Sequence, residues 1–301
     1  MTRPGPLAWI WPLFPSTQRA TLPTIRARHR IPAGVSGVNL ATALVIISSL
    51  LSATTAFAAS SKRAPPPGAF AGAPPEYTRF SVPELERGFF ALAFGSDLRI
   101  GARPRGIRRF NHPIRVTVIA GGSVDRNAAM LRVIDDYIRQ APSLHLSRAV
   151  AGAAAADVEV RLIDERDFKS ALEAAFGAKI AAAFIARTDP QCMTSVKSTA
   201  DGEIVRSVSF IIADKGEAVF LDCAYHELLH AFGLSNHDPR NPWTTLNQKR
   251  MVGYLSAYDR ALLAMLYDPR VTPGMTEARA RAVLPSVIRE LGLAAPARST
   301  R

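Results

Sequence analysis

A β-branched run that feeds straight into a helix bearing paired imidazoles constrains this chain more than any other segment. Residues 204–214 read IVRSVSFIIAD, rich in Ile, Val and Phe and free of Gly and Pro, which predicts a strand. Lys215-Gly216 interrupts it. Leu221, Ala224, Leu228, Ala231 and Phe232 then recur at helical spacing. A strand handed through a short turn to an amphipathic helix is the repeating unit of layered α/β folds.

The rest of the chain alternates in the same way. Ser81 with Pro83-Glu84 opens a short helix with apolar Leu85, Phe89, Phe90 and Leu92. IRVTVIAG after Pro113 reads as a strand, and Ser123 is placed to cap a helix from near Asp125. DVEVRLI reads as a further strand, with Asp164 as cap of a helix ending at Gly177. IAAAFIAR fits a buried strand or a helix equally well. Two more helices are expected near 257–267 and 276–291. The expected fold is α/β, a mixed twisted sheet with packed helices.

With 48% hydrophobic and 21% charged residues, the composition suits a folded domain. The one long apolar stretch, VNLATALVIISSLLSATTAFA at 38–58, follows an Arg-bearing segment and ends in Ala56-Phe57-Ala58. This pattern predicts a signal peptide over 1–58 and export to the periplasm or the extracellular space. An uncleaved anchor is the alternative, weakened by Asn39 and Thr42. A Pro-rich linker over 59–80, a domain over 81–294 and a flexible tail over 295–301 complete the expected organisation. The net charge is +12, and +7 once the five Arg before position 59 are set aside. Export argues against nucleic acid as a partner. It leaves an anionic envelope surface, met by the five Arg between Arg99 and Arg109, as one expectation.

Chemistry concentrates in one place. Three of the six histidines lie between 226 and 237, in His226-Glu227-Leu228-Leu229-His230 and then His237. Residues four apart on a helix share a face, so His226 and His230 can converge on one zinc ion. Glu227, beside them, is placed to take a proton from a zinc-activated water. This is the His-Glu-x-x-His pattern of zincin metallopeptidases, and Gly233 is placed to end the helix and turn the chain back. Metzincins place the third ligand three residues beyond that glycine. Asn236 stands there, so His237 is the preferred third ligand, then Asp238, then Asn236. Met251 is the candidate for a methionine turn beneath the metal, with an ordinary core residue as its alternative. Tyr254 reads as packing or as a proton donor.

In an oxidising compartment the two cysteines, Cys192 and Cys223, are expected to pair, although Cys223 also stands where a Cys-x-x-His ligand would. The stretch from Pro83 to Met275 resembles a family of exported bacterial proteins, domain of unknown function 2927. The similar features are IRRFNHPIRVTV, ADVEVRLID, the cysteine before the helical motif, and LSAYDRALLAMLYDPRVTPGM. The resemblance implies a zincin-like fold and supports the Cys192–Cys223 pairing. It also implies a contrast, since members often carry Glu and Gln where His226 and His230 stand here.

Together these readings predict an exported zinc-dependent peptidase acting on a peptide or protein. The alternative is a non-catalytic zincin-like module that binds within the envelope.

Overall fold

The computed structural model describes residues 62–94, 106–149, 156–188 and 190–295, all within one compact unit, Phe57–Arg301. The expected signal peptide, residues 99–105 of the Arg-bearing loop and the tail from 296 lie outside the described residues. In chain order the elements begin β1 (Lys62–Arg63), β2 (Glu76–Tyr77), α1 (Val82–Ala93), β3 (Ile114–Ala120), α2 (Asn127–Gln140), β4 (Leu146–Arg148) and β5 (Val158–Ile163). They continue α3 (Glu165–Phe176), α4 (Ala178–Thr188), β6 (Cys192–Ser198), β7 (Ile204–Ile212), α5 (Glu217–Ala231), α6 (Ala257–Leu266) and α7 (Glu277–Glu290). None of the described helices is long and apolar enough to cross a membrane.

The main sheet is five-stranded and mixed, ordered β4-β3-β5-β7-β6. Four strands run parallel, and β6 runs antiparallel to β7 at one edge. Alternation along β7 divides the layers. Ser207, Ser209 and Ile211 face α5, while Phe210 and Ile212 join Phe168, Leu172, Ala181 and Phe184 in a smaller core under α3 and α4. The larger core lies on the α5 side, with Phe89, Tyr137, Phe220 and Phe232 fully buried. Each such side chain contributes roughly 1.5–3 kcal/mol of transfer free energy.

Small residues let α5 sit close to the sheet. The Ser207 hydroxyl donates to the Ala231 carbonyl at 2.9 Å, and the Thr194 hydroxyl to the Glu227 carbonyl at 3.0 Å. The Cys192–Cys223 disulfide, Cα–Cα 5.8 Å, ties the edge strand β6 to α5 one turn before the paired histidines.

Several local expectations shift. Ser81 and Glu84 form the expected capping box of α1. Ser123 caps nothing. Its amide and hydroxyl instead donate to Asp164 Oδ1 at 2.7 and 3.1 Å, and so divert the carboxylate expected to cap α3. IAAAFIAR belongs to helix α4. The segment expected to be an unpacked linker is docked on the domain. Glu76 is buried, accepting from Ala257 N at 2.8 Å and pairing with Arg260 at 3.0 Å. Tyr77 stacks on Trp243 with ring centroids 4.2 Å apart, and the Tyr254 hydroxyl donates to the Pro74 carbonyl. Proline and glycine deny this segment regular structure, but its few aromatic and acidic side chains find specific partners.

Candidate functional site

α5 is apolar on nearly every side. Phe220, Leu221, Ala224, Tyr225, Leu228, Leu229 and Ala231 are all buried, which marks it as a central helix. His226, Glu227 and His230 lie in its last two turns. Gly233 closes it with a Schellman pattern, in which Gly233 N donates to His230 O and Leu234 N to Leu229 O. Gly233 has φ 112°, and a Cβ there would stand 2.1 Å from the Arg108 carbonyl, so only glycine fits.

The turn that follows brings His237 back to the helix. Nε2 of His226 lies 2.9 Å from Nε2 of His237 and 3.1 Å from that of His230, and the third side of the triangle is 3.1 Å. The other ring nitrogens of the helical pair are already committed. His226 Nδ1 donates to the Thr245 carbonyl at 3.1 Å, and His230 Nδ1 to the Leu234 carbonyl at 2.6 Å. A neutral imidazole that donates from Nδ1 carries a lone pair at Nε2. The Nε2 atoms of His226 and His230 therefore face one another with no proton to share. Such an arrangement is repulsive until a cation stands among the lone pairs.

Protons are poorly suited to that place. Burial depresses the His226 imidazole to about 3, with His237 adding to the effect. Burial, then His226 and His237, hold His230 well below its ordinary value. A metal ion fits better. Ligands of a tetrahedral zinc at roughly 2.0–2.1 Å stand about 3.3 Å apart, close to the observed spacings. The carbonyl-donating Nδ1 atoms supply the outer contacts that orient metal-binding histidines. Among the described residues, these three histidines are the group whose ligand atoms converge in this way.

Glu227 is buried beside the triad. Its Oε2 meets no donor, and burial pushes its carboxyl up to about 8 against a lowering contribution from the Thr194 hydroxyl. A buried acceptor without a partner is costly in a native structure and marks a place where a polar ligand is received.

The remaining candidates fall elsewhere. Cys223 is in the disulfide and is no ligand. Asp238 is buried but turned to Arg240, whose amide and Nε donate to its Oδ1. Asn236 Nδ2 and N donate to the carbonyls of Ala91 and Leu92 in α1, which explains why histidine comes one residue later than the metzincin spacing. Met251 is 44% exposed, so its side chain forms no floor beneath the triad. Tyr254 is committed to Pro74.

The sequence did not point to the groups behind the three imidazoles. Asp259, fully buried, accepts from Thr244 Oγ1 at 2.6 Å, Thr245 N at 3.0 Å, Thr245 Oγ1 at 2.8 Å and Ser256 Oγ at 2.8 Å. Burial raises its pKa although all four donors oppose the shift. Ser256-x-x-Asp259 is legible as a helix start, but its reach to Thr244 and Thr245 is a tertiary fact.

No curated protein and no solved structure matches the chain. The family model described as a protein of unknown function (DUF2927) matches residues 83–286, more than half of the chain and the whole of the histidine cluster, and the chain belongs to that family.

Proposed function

We propose that this chain is a zinc-dependent hydrolase of zincin type that cleaves peptide bonds, with His226, His230 and His237 as the zinc ligands and Glu227 as the catalytic carboxylate. The observation that carries the reading is the Nε2 triangle whose helical members have spent their only protons on backbone carbonyls. Three nitrogen ligands leave one position of a tetrahedral ion open, the arrangement of catalytic rather than structural zinc. A bound zinc supplies a Lewis acid, which acidifies water and polarises a carbonyl oxygen.

The protein's own groups do the rest. Glu227 Oε2 takes the proton of the attacking water and passes it to the departing amine. Thr245 and Leu234 hold the two helical rings in the tautomer that exposes Nε2. The triad lies in the last two turns of α5 and beyond, toward the end where the helix dipole favours a cation. The mixed sheet with the His-Glu-x-x-His helix packed on it agrees with a zincin-like fold. The disulfide supports an oxidising compartment, and with the apolar segment at 38–58 it supports export.

Metal analysis of the purified chain tests the reading, with about one zinc per chain expected. Glu227→Gln should retain the metal and lose turnover of a peptide library. A chain that stays metal-free after zinc loading overturns the proposal, and turnover that persists in Glu227→Gln removes the assigned base.

A further inference from the structure

Arg108 and Arg109 are neighbours in sequence with opposite surroundings. The Arg109 guanidinium donates to the carbonyls of Phe110, Leu266, Asp268 and Val271 and lies over the Tyr267 ring. Arg108 has no hydrogen bond or ion pair of its guanidinium among the described residues. Its Nε is buried and meets no acceptor. The residue as a whole is only partly buried.

Its place is as informative as its isolation. The Arg108 carbonyl packs against Gly233, the residue that ends α5 three positions after His230. Among the described residues, three acids of the neighbouring segments are committed elsewhere. Asp238 holds Arg240, Asp268 holds Arg270, and Glu227 is buried beside the triad. A partly buried guanidinium with no counter-charge is strongly unfavourable, and one kept beside a reaction site is compensated when an anionic ligand arrives.

We propose that Arg108 is the anchor for a carboxylate on the substrate, so that the site prefers peptides bearing a free carboxylate near the bond presented to the triad. The word "substrate" rests on the peptidase reading, whereas the anion site stands on Arg108 itself. A guanidinium fork matches the two oxygens of a planar carboxylate, and the pair is a charge-assisted one. Two sources supply that group, the α-carboxylate of a peptide end and the side chain of Asp or Glu.

Calorimetric titration of the full chain, metal-free and zinc-loaded, with three peptides tests the proposal. One has a free C-terminus and no acidic side chain, the second is the same peptide amidated, and the third is amidated with one Glu. At least one carboxylate-bearing peptide should bind roughly ten- to a hundredfold tighter than the neutral one. The first peptide winning identifies a chain end, and the third identifies an acidic side chain. Arg108→Gln should erase the preference and leave zinc content unchanged. If Arg108→Gln does not fold, Arg108→Lys carries the test, since it keeps the charge without the fork and should weaken the preference. Equal binding of all three peptides, or a preference that survives Arg108→Gln or is undiminished in Arg108→Lys, overturns the anchor. A chain that stays metal-free after zinc loading yet still prefers the carboxylate removes the peptidase reading and leaves the anion site standing. A zinc-loaded chain without preference does the reverse.

Discussion

Asp259 accepts both the amide and the hydroxyl of Thr245, at 3.0 and 2.8 Å, without touching a histidine. Thr245 in turn offers its carbonyl to His226 Nδ1. The orientation of one imidazole is thus set by a carboxylate two hydrogen bonds away. Thr245→Val removes the hydroxyl contact and keeps the carbonyl, and it should weaken zinc binding about tenfold. Asp259→Ala strands several buried donors and should cost about 3 kcal/mol or more. Chelator competition reads the first effect and denaturant unfolding the second. Unchanged zinc affinity in Thr245→Val would show that the carbonyl needs no such support.

Gly233→Ala joins two penalties, a positive φ and a Cβ driven against the Arg108 carbonyl. A loss of at least about 2 kcal/mol is expected. Because the turn it closes also delivers the Leu234 carbonyl to His230, zinc affinity should fall with stability. A variant as stable as the parent would place the chain reversal elsewhere.

Without metal, the buried imidazoles and the buried carboxyls should pull the pH dependence of stability in opposite directions. The folded His226 imidazole titrates at about 3 against an ordinary 6.5, and His230 is depressed in the same direction. The unfolded chain therefore binds more protons below 6.5, and stability falls as the pH drops through that window toward 3. Glu227 works oppositely. Its carboxyl is raised from 4.5 to about 8, so the folded chain holds the extra proton and loses stability as the pH climbs between those values. Asp222, raised by burial to about 6, and Asp259, raised likewise, join Glu227 against the two rings below pH 6, and between 6.5 and 8 Glu227 acts alone among these groups. Thermal melts of the chelated protein across this range check the sign on each side. Glu227→Gln should flatten the decline between 6.5 and 8 and shift the slope between 4.5 and 6.5 toward a rise with pH.

Reducing the Cys192–Cys223 bond should destabilise the chain by about 3–4 kcal/mol in the chain-entropy account, given a sequence separation of 31. Melting with and without reductant measures it. A Cys192→Ser, Cys223→Ser chain with unaltered melting would mean that α5 and β6 are held by packing alone.

Much of the layered architecture was legible because its strands are β-branched and its helices periodic. Ile204–Ile212 and the apolar face of α5 show this most clearly. β6 was missed, since CMTSVKS has neither strong alternation nor apolar density and becomes a strand only by pairing with β7. The helical His pair follows from spacing alone. His237 was the preferred third ligand on chain order, yet what brings it to the triangle is the contact of Asn236 with α1, which no local pattern carries. Met251 misled because a methionine at a suitable distance says nothing about the direction of its side chain. Arg108 was hidden in a run of arginines whose members look alike until their partners are known.

The tie from Asn236 to Ala91 and Leu92 makes α1 the outer wall of a lever with a very short arm. His226 and His230 ride on the rigid end of α5, but His237 is one peptide away from that wall. A slight shift of α1 against α5 would therefore open or tighten the nitrogen triangle on one side only. Whatever leans on α1 from outside has mechanical access to the spacing of the three imidazole nitrogens.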